Sequence, residues 1–137
     1  MGENDSVIIM THEPNWLLDW YFDQVTGKNV TYLIRDHLNG RCRLRIAGDV
    51  HHYMRHKFVE SKSDEQVYVQ HLLVNGCGGA FLHPTHVFKN FNSLYGTTYE
   101  CKNPYPTFED SSRVRNRSPL FYIDRLVSAI NKACNML

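Results

Sequence analysis

The chain has 137 residues and a formal net charge of +1 with neutral histidines; 42% of its residues are hydrophobic and 21% are charged. This length allows one domain with a hydrophobic core but not two, and the small net charge argues against nucleic acid or an anionic membrane as a partner. No apolar run approaches the roughly 18 residues of a membrane span, and no apolar leader follows Met1. The composition therefore predicts a soluble, intracellular chain without a membrane span of its own.

The first predicted element is a strand followed by a loop and a helix. Residues 7–10 (VIIM) form a short, continuous apolar run, which is typical of a strand covered on both faces. Pro14 favours extended backbone at Glu13, so the polar residues after the run predict a loop at the carboxyl end of this strand. Asn15 then suits the N-cap of a short apolar helix over residues 16–22.

A second helix and a second strand follow. Apolar residues between 30 and 38 share one helical face with His37, which is expected to be partly buried there. Asn39-Gly40 predicts the end of this helix. Residues 41–46 (RCRLRI) alternate arginine with an apolar residue, and this period of two predicts a half-buried strand whose arginines, Arg45 among them, face solvent.

The middle of the chain is polar and interrupted by glycine. Charges dominate residues 55–66, which predicts a solvated hairpin or loop and leaves His56 as an ordinary surface residue. A strand is predicted at 67–74. The glycine-rich turn at 75–79 after it indicates that the backbone comes close to another group there.

The last part of the chain divides into two segments. Residues 92–117 have the composition of a loop. Residues 118–137 place their apolar side chains at helical spacing and predict an amphipathic C-terminal helix. The order of strands and helices along the whole chain predicts the α/β class, in which functional sites lie at the carboxyl ends of strands.

Histidines and acids cluster where the predicted strands end. They form three groups: His12 with Glu13; Asp49 with His51 and His52; and His83 with His86. Imidazole and carboxylate groups are ligands for Zn, Mn or Fe, and loops at one edge of a sheet bring distant residues together. The three groups together favour a metal site over unrelated polar loops. Glu13 suits a general base or a turn residue equally well.

Three segments resemble a known family. VIIMTHEPNW and RLRIAGDVHHYMRH resemble the calcineurin-like metallophosphoesterase superfamily, and LLVNGCGGAFLHPTH resembles a plant branch of it. The resemblance implies that residues 1–112 form the C-terminal half of a calcineurin-like phosphoesterase domain, followed by a divergent tail at 113–137 that holds the terminal helix (118–137). The implied fold is a partial metallophosphoesterase-like β-sandwich, half of an αββα four-layer fold, with a C-terminal amphipathic helix.

The resemblance also implies a ligand set. In the superfamily, a lone histidine after one strand and a Gly-His-x-His motif after a later strand bind metal. His12 matches the lone histidine and His51 the last histidine of the motif, whereas Asp49 stands where the motif has its first histidine. Asp49 would then ligate through oxygen, or His52 would take its place. The remaining histidines are expected to contact phosphate or to orient ligands: His52, His83 and His86.

The activity implied by the resemblance is metal-dependent hydrolysis of phosphate esters by a metal-activated water, with two ions of Mn, Zn or Fe in the full family domain. Gly-Asn-His, a first-half motif of the superfamily, does not occur in these residues, and their one Asp-x-His, Asp49-Val50-His51, is already matched to the later motif. The chain is therefore expected to be a truncated catalytic domain that holds at most one ion weakly, and to be incomplete as an enzyme.

Two other interpretations stay open. The chain would be a non-catalytic remnant that binds a metal or a partner, or a small mononuclear hydrolase complete in itself. Aromatic residues in the segment 16–22 would cover the missing half of a full domain, so some apolar surface is expected to be exposed and available to a protein partner or to a second copy. Membrane association stays open only for longer relatives of the plant branch.

Overall fold

The structure is a computed structural model that describes residues 2, 5–22, 27–61, 69–76 and 84–115. The strands are β1 (Val7–Thr11), β2 (Cys42–Ala47), β3 (Tyr53–Ser61), β4 (His71–Asn75), β5 (Ser93–Leu94) and β6 (Thr97–Tyr105). The helical elements are α1 (Asn15–Phe22), α2 (Lys28–Tyr32), a π-helical segment (Leu33–Leu38), a 3-10 turn (Thr85–Phe88) and α3 (Phe108–Arg115). The predicted terminal helix at 118–137 lies outside the described residues.

The strands form one mixed sheet in the order β1-β2-β4-β3-β6-β5. Strands β1, β2 and β4 are parallel neighbours. Strand β3 runs antiparallel to both β4 and β6, and β5 pairs antiparallel with β6. The α/β class expected from the sequence is therefore confirmed, in the form of a sheet with a parallel half and an antiparallel half that meet at β4.

One face of the sheet carries the hydrophobic core. Trp16 and Leu17 of α1 are 1% and 0% exposed, and Met54, Leu72 and Val74 of the central strands are all 0% exposed. These side chains belong to one contiguous buried cluster. Burial of each large apolar side chain contributes about 1.5–3 kcal/mol relative to an exposed one, so this helix-covered face is the main source of stability.

The other face of β1 is open, which makes the prediction of a strand covered on both faces wrong. Ile8 and Met10 are 59% and 74% exposed, whereas Ile9 between them packs against the core. The reason is position, because β1 is the edge strand of the sheet and no described element lies over its second face. A continuous apolar run does not distinguish these two cases.

The predicted helix at 30–38 exists, but it is built differently from the expectation. The α-helix α2 continues directly into the π-helical segment, and Asn39 ends it in the left-handed conformation with φ 45°. His37 is exposed and its ring makes an edge contact with Tyr32 at 5.2 Å. The expectation of a partly buried His37 is wrong, because the wider π-helical turn departs from the 3.6-residue period on which it rested.

In β2, the expectation that Arg45 faces solvent is also wrong. A β-bulge interrupts the pairing with β1, where the partners pass from Val7–Cys42 to Ile8–Leu44. The extra residue breaks the period of two, so that Cys42 and Arg45, three positions apart, are both buried. Arg45 is only 2% exposed and its guanidinium lies 4.8 Å from the centre of a Trp16 ring.

Two segments expected to lack a buried strand contain one. The segment 55–66, predicted as a solvated hairpin or loop, contributes its described part, 55–61, to the strand β3, which is paired on both sides, and His56 within it is 0% exposed. The segment 92–117 contains β5, β6 and α3. The strand predicted at 67–74 is present as β4, displaced toward its carboxyl end.

Candidate metal site at the carboxyl ends of the parallel strands

The candidate site begins where β1 and β2 end together. Thr11 pairs with Ala47 at the last position of the two parallel strands. The next residues stay side by side, because the amide of Gly48 donates a hydrogen bond to the carbonyl of His12 at 3.0 Å. Parallel pairing therefore brings together two loops that are distant in sequence, at the sheet edge where α/β proteins place their sites.

Three side chains converge at this edge. The ligand atoms of His12, Glu13 and Asp49 all lie within 4.8 Å of one another, and all three residues are exposed. Two donors at 2.0–2.2 Å from one ion lie at most about 4.4 Å apart, so a small rotation of exposed side chains completes the geometry. One imidazole nitrogen with two carboxylates fits a divalent ion such as Mn, Fe or Zn.

The turn after β1 holds the first two of these residues. The hydroxyl of Thr11 donates a hydrogen bond to the carbonyl of Glu13 at 2.9 Å, and Pro14, which follows, is buried. The backbone of Glu13 thus shapes the turn while its carboxylate is exposed beside His12 and Asp49. The two roles left open for Glu13 are compatible, because they belong to different parts of the residue.

The loop after β2 is held in an uncommon conformation. Asp49 and His51 both have positive φ, 62° and 46°, a region in which Asp and His are among the better tolerated side chains. Between them, Val50 is 6% exposed, and its amide donates to the carbonyl of Gly48 at 2.8 Å. Val50 therefore anchors the loop in the core while the exposed Asp49 joins the cluster.

This loop crosses the end of β4 at close range. The amide of Gly76 donates a hydrogen bond to the carbonyl of His52 at 2.9 Å. A Cβ on Gly76 would lie 2.7 Å from the amide nitrogen of His51, a distance that no side chain tolerates without movement. The expectation of a close backbone approach in the turn at 75–79 is confirmed at Gly76; residues 77–79 lie outside the described part.

The structure does not bring His51 into the cluster. His51 is half-buried, and among the described residues the group of potential ligands contains His12, Glu13 and Asp49 without it. The assignment of His51 as a metal ligand thus stays a prediction of the resemblance. Glu13 takes part in the cluster instead, and only its position next to His12 in the sequence signalled this.

His52 is a buried support of the loop. It is 1% exposed, and its Nδ1 lies 2.7 Å from the hydroxyl oxygen of Thr85. Its ring stacks on Phe108 of α3, with centroids 5.8 Å apart. Burial lowers the pKa of His52 to about 4, so the ring is neutral at neutral pH. This position fits the role of an orienting residue better than that of a ligand.

Further contacts connect His52 to the 3-10 turn and to α3. The hydroxyl of Thr85 lies 3.1 Å from that of Ser111, which also accepts the amide of His86 at 3.2 Å. His86 itself is half-buried on the 3-10 turn. This chain of contacts ties the loop that carries Asp49 to the 3-10 turn and α3. His83, the other histidine predicted to contact phosphate, lies outside the described residues.

Comparisons of the chain with protein-family models, with curated proteins and with solved structures return no match. In the described part of the chain, none of the helices combines the length and the apolar character needed to cross a membrane.

Proposed function

We propose that His12, Glu13 and Asp49 bind one divalent metal ion and that the chain is a metal-dependent phosphoesterase of the metallophosphoesterase type. The observation that carries the proposal is the approach of three potential ligand atoms to within 4.8 Å of one another. They come from two loops that follow adjacent parallel strands. The matches of His12 and of the segment Gly48–Tyr53 to metal-binding motifs of that superfamily add independent support.

The described residues would have different roles in such a site, some as ligands and others as supports of the loop that carries Asp49. A bound divalent ion lowers the pKa of its water and polarises a phosphoryl oxygen. His12 supplies a nitrogen ligand, and Glu13 and Asp49 neutralise the charge of the ion. The buried contacts of Val50 and His52 hold the loop that presents Asp49. The site lies at an exposed sheet edge, which leaves room for a phosphate ester beside the ion.

The proposal includes the fold, which we infer to be half of a metallophosphoesterase-like sandwich. The sheet carries its site at the carboxyl ends of β1 and β2, where the resemblance expects the ligands of the second half of a metallophosphoesterase domain. A helix layer covers one face and the other is open at β1, as expected for half of a sandwich. The ligands of a second ion would then come from outside these residues.

Metal binding is tested first, without reference to activity. Equilibrium dialysis against Mn²⁺ or Zn²⁺ with elemental analysis is expected to give one ion per chain. Asp49→Asn and His12→Ala, which each remove one ligand, are expected to weaken binding about tenfold or more. His37→Ala is the matched control, because His37 is also exposed and does not belong to the cluster. Equal affinity in all four proteins would contradict the proposed site.

The alternative to an enzyme is a non-catalytic chain that binds a metal or a partner. The exposed side chains of Ile8 and Met10 favour this alternative, because they offer an apolar surface to a partner. A hydrolysis assay distinguishes the two. The substrates are p-nitrophenyl phosphate and bis-p-nitrophenyl phosphate with the ion that binds. Turnover that is lost together with metal binding in Asp49→Asn supports the phosphoesterase. Stoichiometric metal binding with turnover no faster than free metal in buffer would favour the non-catalytic alternative.

A further inference from the structure

Arg45 carries a positive charge into the core, where two of its nitrogens have no hydrogen-bond partner. Its side chain is buried, with the residue 2% exposed, and Nε and Nη2 make no hydrogen bond with the described residues. The guanidinium lies 4.8 Å from the centre of a Trp16 ring, but an aromatic face offsets only part of the hydration that a buried cation loses. Because buried polar atoms in proteins are nearly always hydrogen-bonded, Nε and Nη2 indicate a position for an acceptor.

Trp16 adds a further buried donor beside this guanidinium. The residue is 1% exposed, and its indole Nε1 also makes no hydrogen bond with the described residues. Indole and guanidinium nitrogens donate hydrogen bonds and accept none, so Trp16 and Arg45 do not satisfy each other. Nε1 belongs to the ring system next to the guanidinium, and two donors that share one acceptor stand up to about 6 Å apart. This spacing allows a single acceptor to bind both side chains.

The charge of Arg45 is not paired with a negative charge among the described residues. Asp19 is the one carboxylate among the described groups whose charge acts on Arg45. Its Oδ2 accepts the amide of Gly27 at 2.9 Å, and no salt bridge joins it to Arg45. Burial raises the pKa of the Cys42 thiol and raises the pKa of Tyr99 to about 12, so both groups are neutral at neutral pH. An arginine keeps its own proton even when it is buried.

We propose that a small monovalent anion, of the size of chloride, binds between Arg45 and Trp16, beneath α1 on the covered face of the sheet. The unpartnered atoms Nε and Nη2 of Arg45 and Nε1 of Trp16 are all donors, so the ligand is an acceptor. The single positive charge at the site favours one negative charge over a neutral water. Both side chains are almost fully buried, which favours a compact ion over a phosphate ester.

This anion site is separate from the candidate metal cluster. Arg45 lies within β2, between Ile9 of β1 and the fully buried Leu72 of β4. The metal cluster is instead exposed, at the strand ends, and contains neither Arg45 nor Trp16. The inference therefore does not rest on the proposed phosphoesterase activity. The ion binds a residue of α1 and a residue of β2, so it links the helix to the sheet through polar contacts inside the core.

Iodide quenching of Trp16 fluorescence tests the proposal on the full chain. The sequence contains two tryptophans, so Trp20→Phe leaves Trp16 as the only one. Because Trp16 is 1% exposed, iodide in solution rarely collides with it, whereas an iodide ion bound beside the indole quenches it. We expect quenching of the Trp20→Phe protein that saturates with iodide and is reversed by chloride, at an ionic strength held constant with sodium gluconate. Adding Arg45→Met is expected to abolish the saturable part.

Two controls make the result specific. Arg43→Met removes a positive charge from the same strand, but Arg43 is exposed, so saturable quenching is expected to persist in this variant. Acrylamide, a neutral quencher, is expected to act equally on Trp16 with and without Arg45→Met, which shows that the core stays closed in both. Iodide quenching that does not saturate in the Trp20→Phe protein would overturn the proposal, whatever the Arg45 variant does. Saturable quenching that survives Arg45→Met, or that Arg43→Met also abolishes, would overturn it too.

Discussion

Gly76 and His51 are in backbone contact at the point where the loop after β2 passes over the end of β4. A Cβ on Gly76 would stand 2.7 Å from the His51 amide nitrogen and 3.0 Å from its Cα. The amide of Gly76 meanwhile donates to the carbonyl of His52. The loop that presents Asp49 is therefore positioned by the end of β4 as well as by its own strand.

Gly76→Ala is expected to displace this loop, because the new methyl group meets backbone rather than a flexible side chain. We expect a loss of stability of about 1–3 kcal/mol and weaker metal binding, measured by urea unfolding and by equilibrium dialysis. Gly48→Ala is the matched control, since the nearest atom to its Cβ is the His12 carbonyl oxygen at 3.9 Å. A Gly76→Ala protein as stable as Gly48→Ala would show that the contact does not position the loop.

The left-handed backbone of His51 gives a second prediction. With φ 46°, His51→Gly is expected to be more stable than His51→Ala by about 1 kcal/mol, because only glycine enters this region without strain. Since His51 lies outside the three-residue cluster, His51→Gly is also expected to retain one bound ion. Urea unfolding and metal titration measure both effects. Loss of that ion in His51→Gly would place His51 in the ligand set, as the family resemblance implies.

Two buried histidines predict how stability depends on pH. Burial lowers the pKa of both His52 and His56 to about 4, from an ordinary value of 6.5. Below pH 6.5 the unfolded chain takes up protons that the folded chain accepts only near pH 4. The free energy of unfolding therefore falls between pH 6.5 and pH 4, by up to about 3 kcal/mol for each histidine.

His56→Leu isolates the contribution of one of these groups. His56 is 0% exposed, its ring contacts Phe91 at 4.8 Å, and neither ring nitrogen makes a hydrogen bond with the described residues. Leucine removes the titrating ring but fills much of its space, so the urea midpoint should fall less steeply from pH 7 to pH 5. The exposed His37 serves as the control, and His37→Leu is expected to retain the parent slope. Equal slopes in all three proteins would refute the assignment.

For the buried Arg45, we expect that removal of the charge causes little loss in the free energy of unfolding. Its Nε and Nη2 lack hydrogen-bond partners in the described part of the structure, and burial lowers its pKa. Arg45→Met keeps an unbranched stem against Trp16 and is expected to change stability by less than about 1 kcal/mol or to raise it. Arg45→Ala leaves a cavity and is expected to cost about 2–5 kcal/mol. Thermal unfolding compares the two; an equal, large loss in both would show that the charge itself stabilises the core.

The predictable part of the fold was the part with strong periodicity. The apolar run of β1, the helix after it and the strand β2 were all found from local pattern, and with them the loops that carry His12 and Asp49. The sequence leaves open whether the carboxylate of Glu13 lies beside His12 and Asp49, because this depends on the conformation of the turn after β1. Pro14 predicts the turn, but the hydrogen bond from Thr11 that helps to hold it is not visible in the sequence pattern.

The strands β3 and β6 are hard to predict for the same physical reason, because polar residues occupy some of their inward positions. In β3 the buried residues alternate correctly, but one of them is His56, and in β6 the inward positions hold Thr97 and Tyr99. A rule that counts only aliphatic side chains as inward therefore overlooks both strands. The burial of Arg45 is not predicted for another reason. The bulge between β1 and β2 shifts the alternation of inward and outward side chains in β2.

The position of β4 has a consequence for how the chain folds. Strands β2 and β3 follow each other in the sequence but do not pair, because β4 lies between them. The loop between them spans two strand spacings, about 10 Å, and β4 fills this gap after the chain has gone on through β3 and returned. β4 is also the only described strand that links the parallel half to the antiparallel half. In the finished sheet β4 thus lies between two strands that both precede it in the sequence, and such non-local pairing is expected to slow folding.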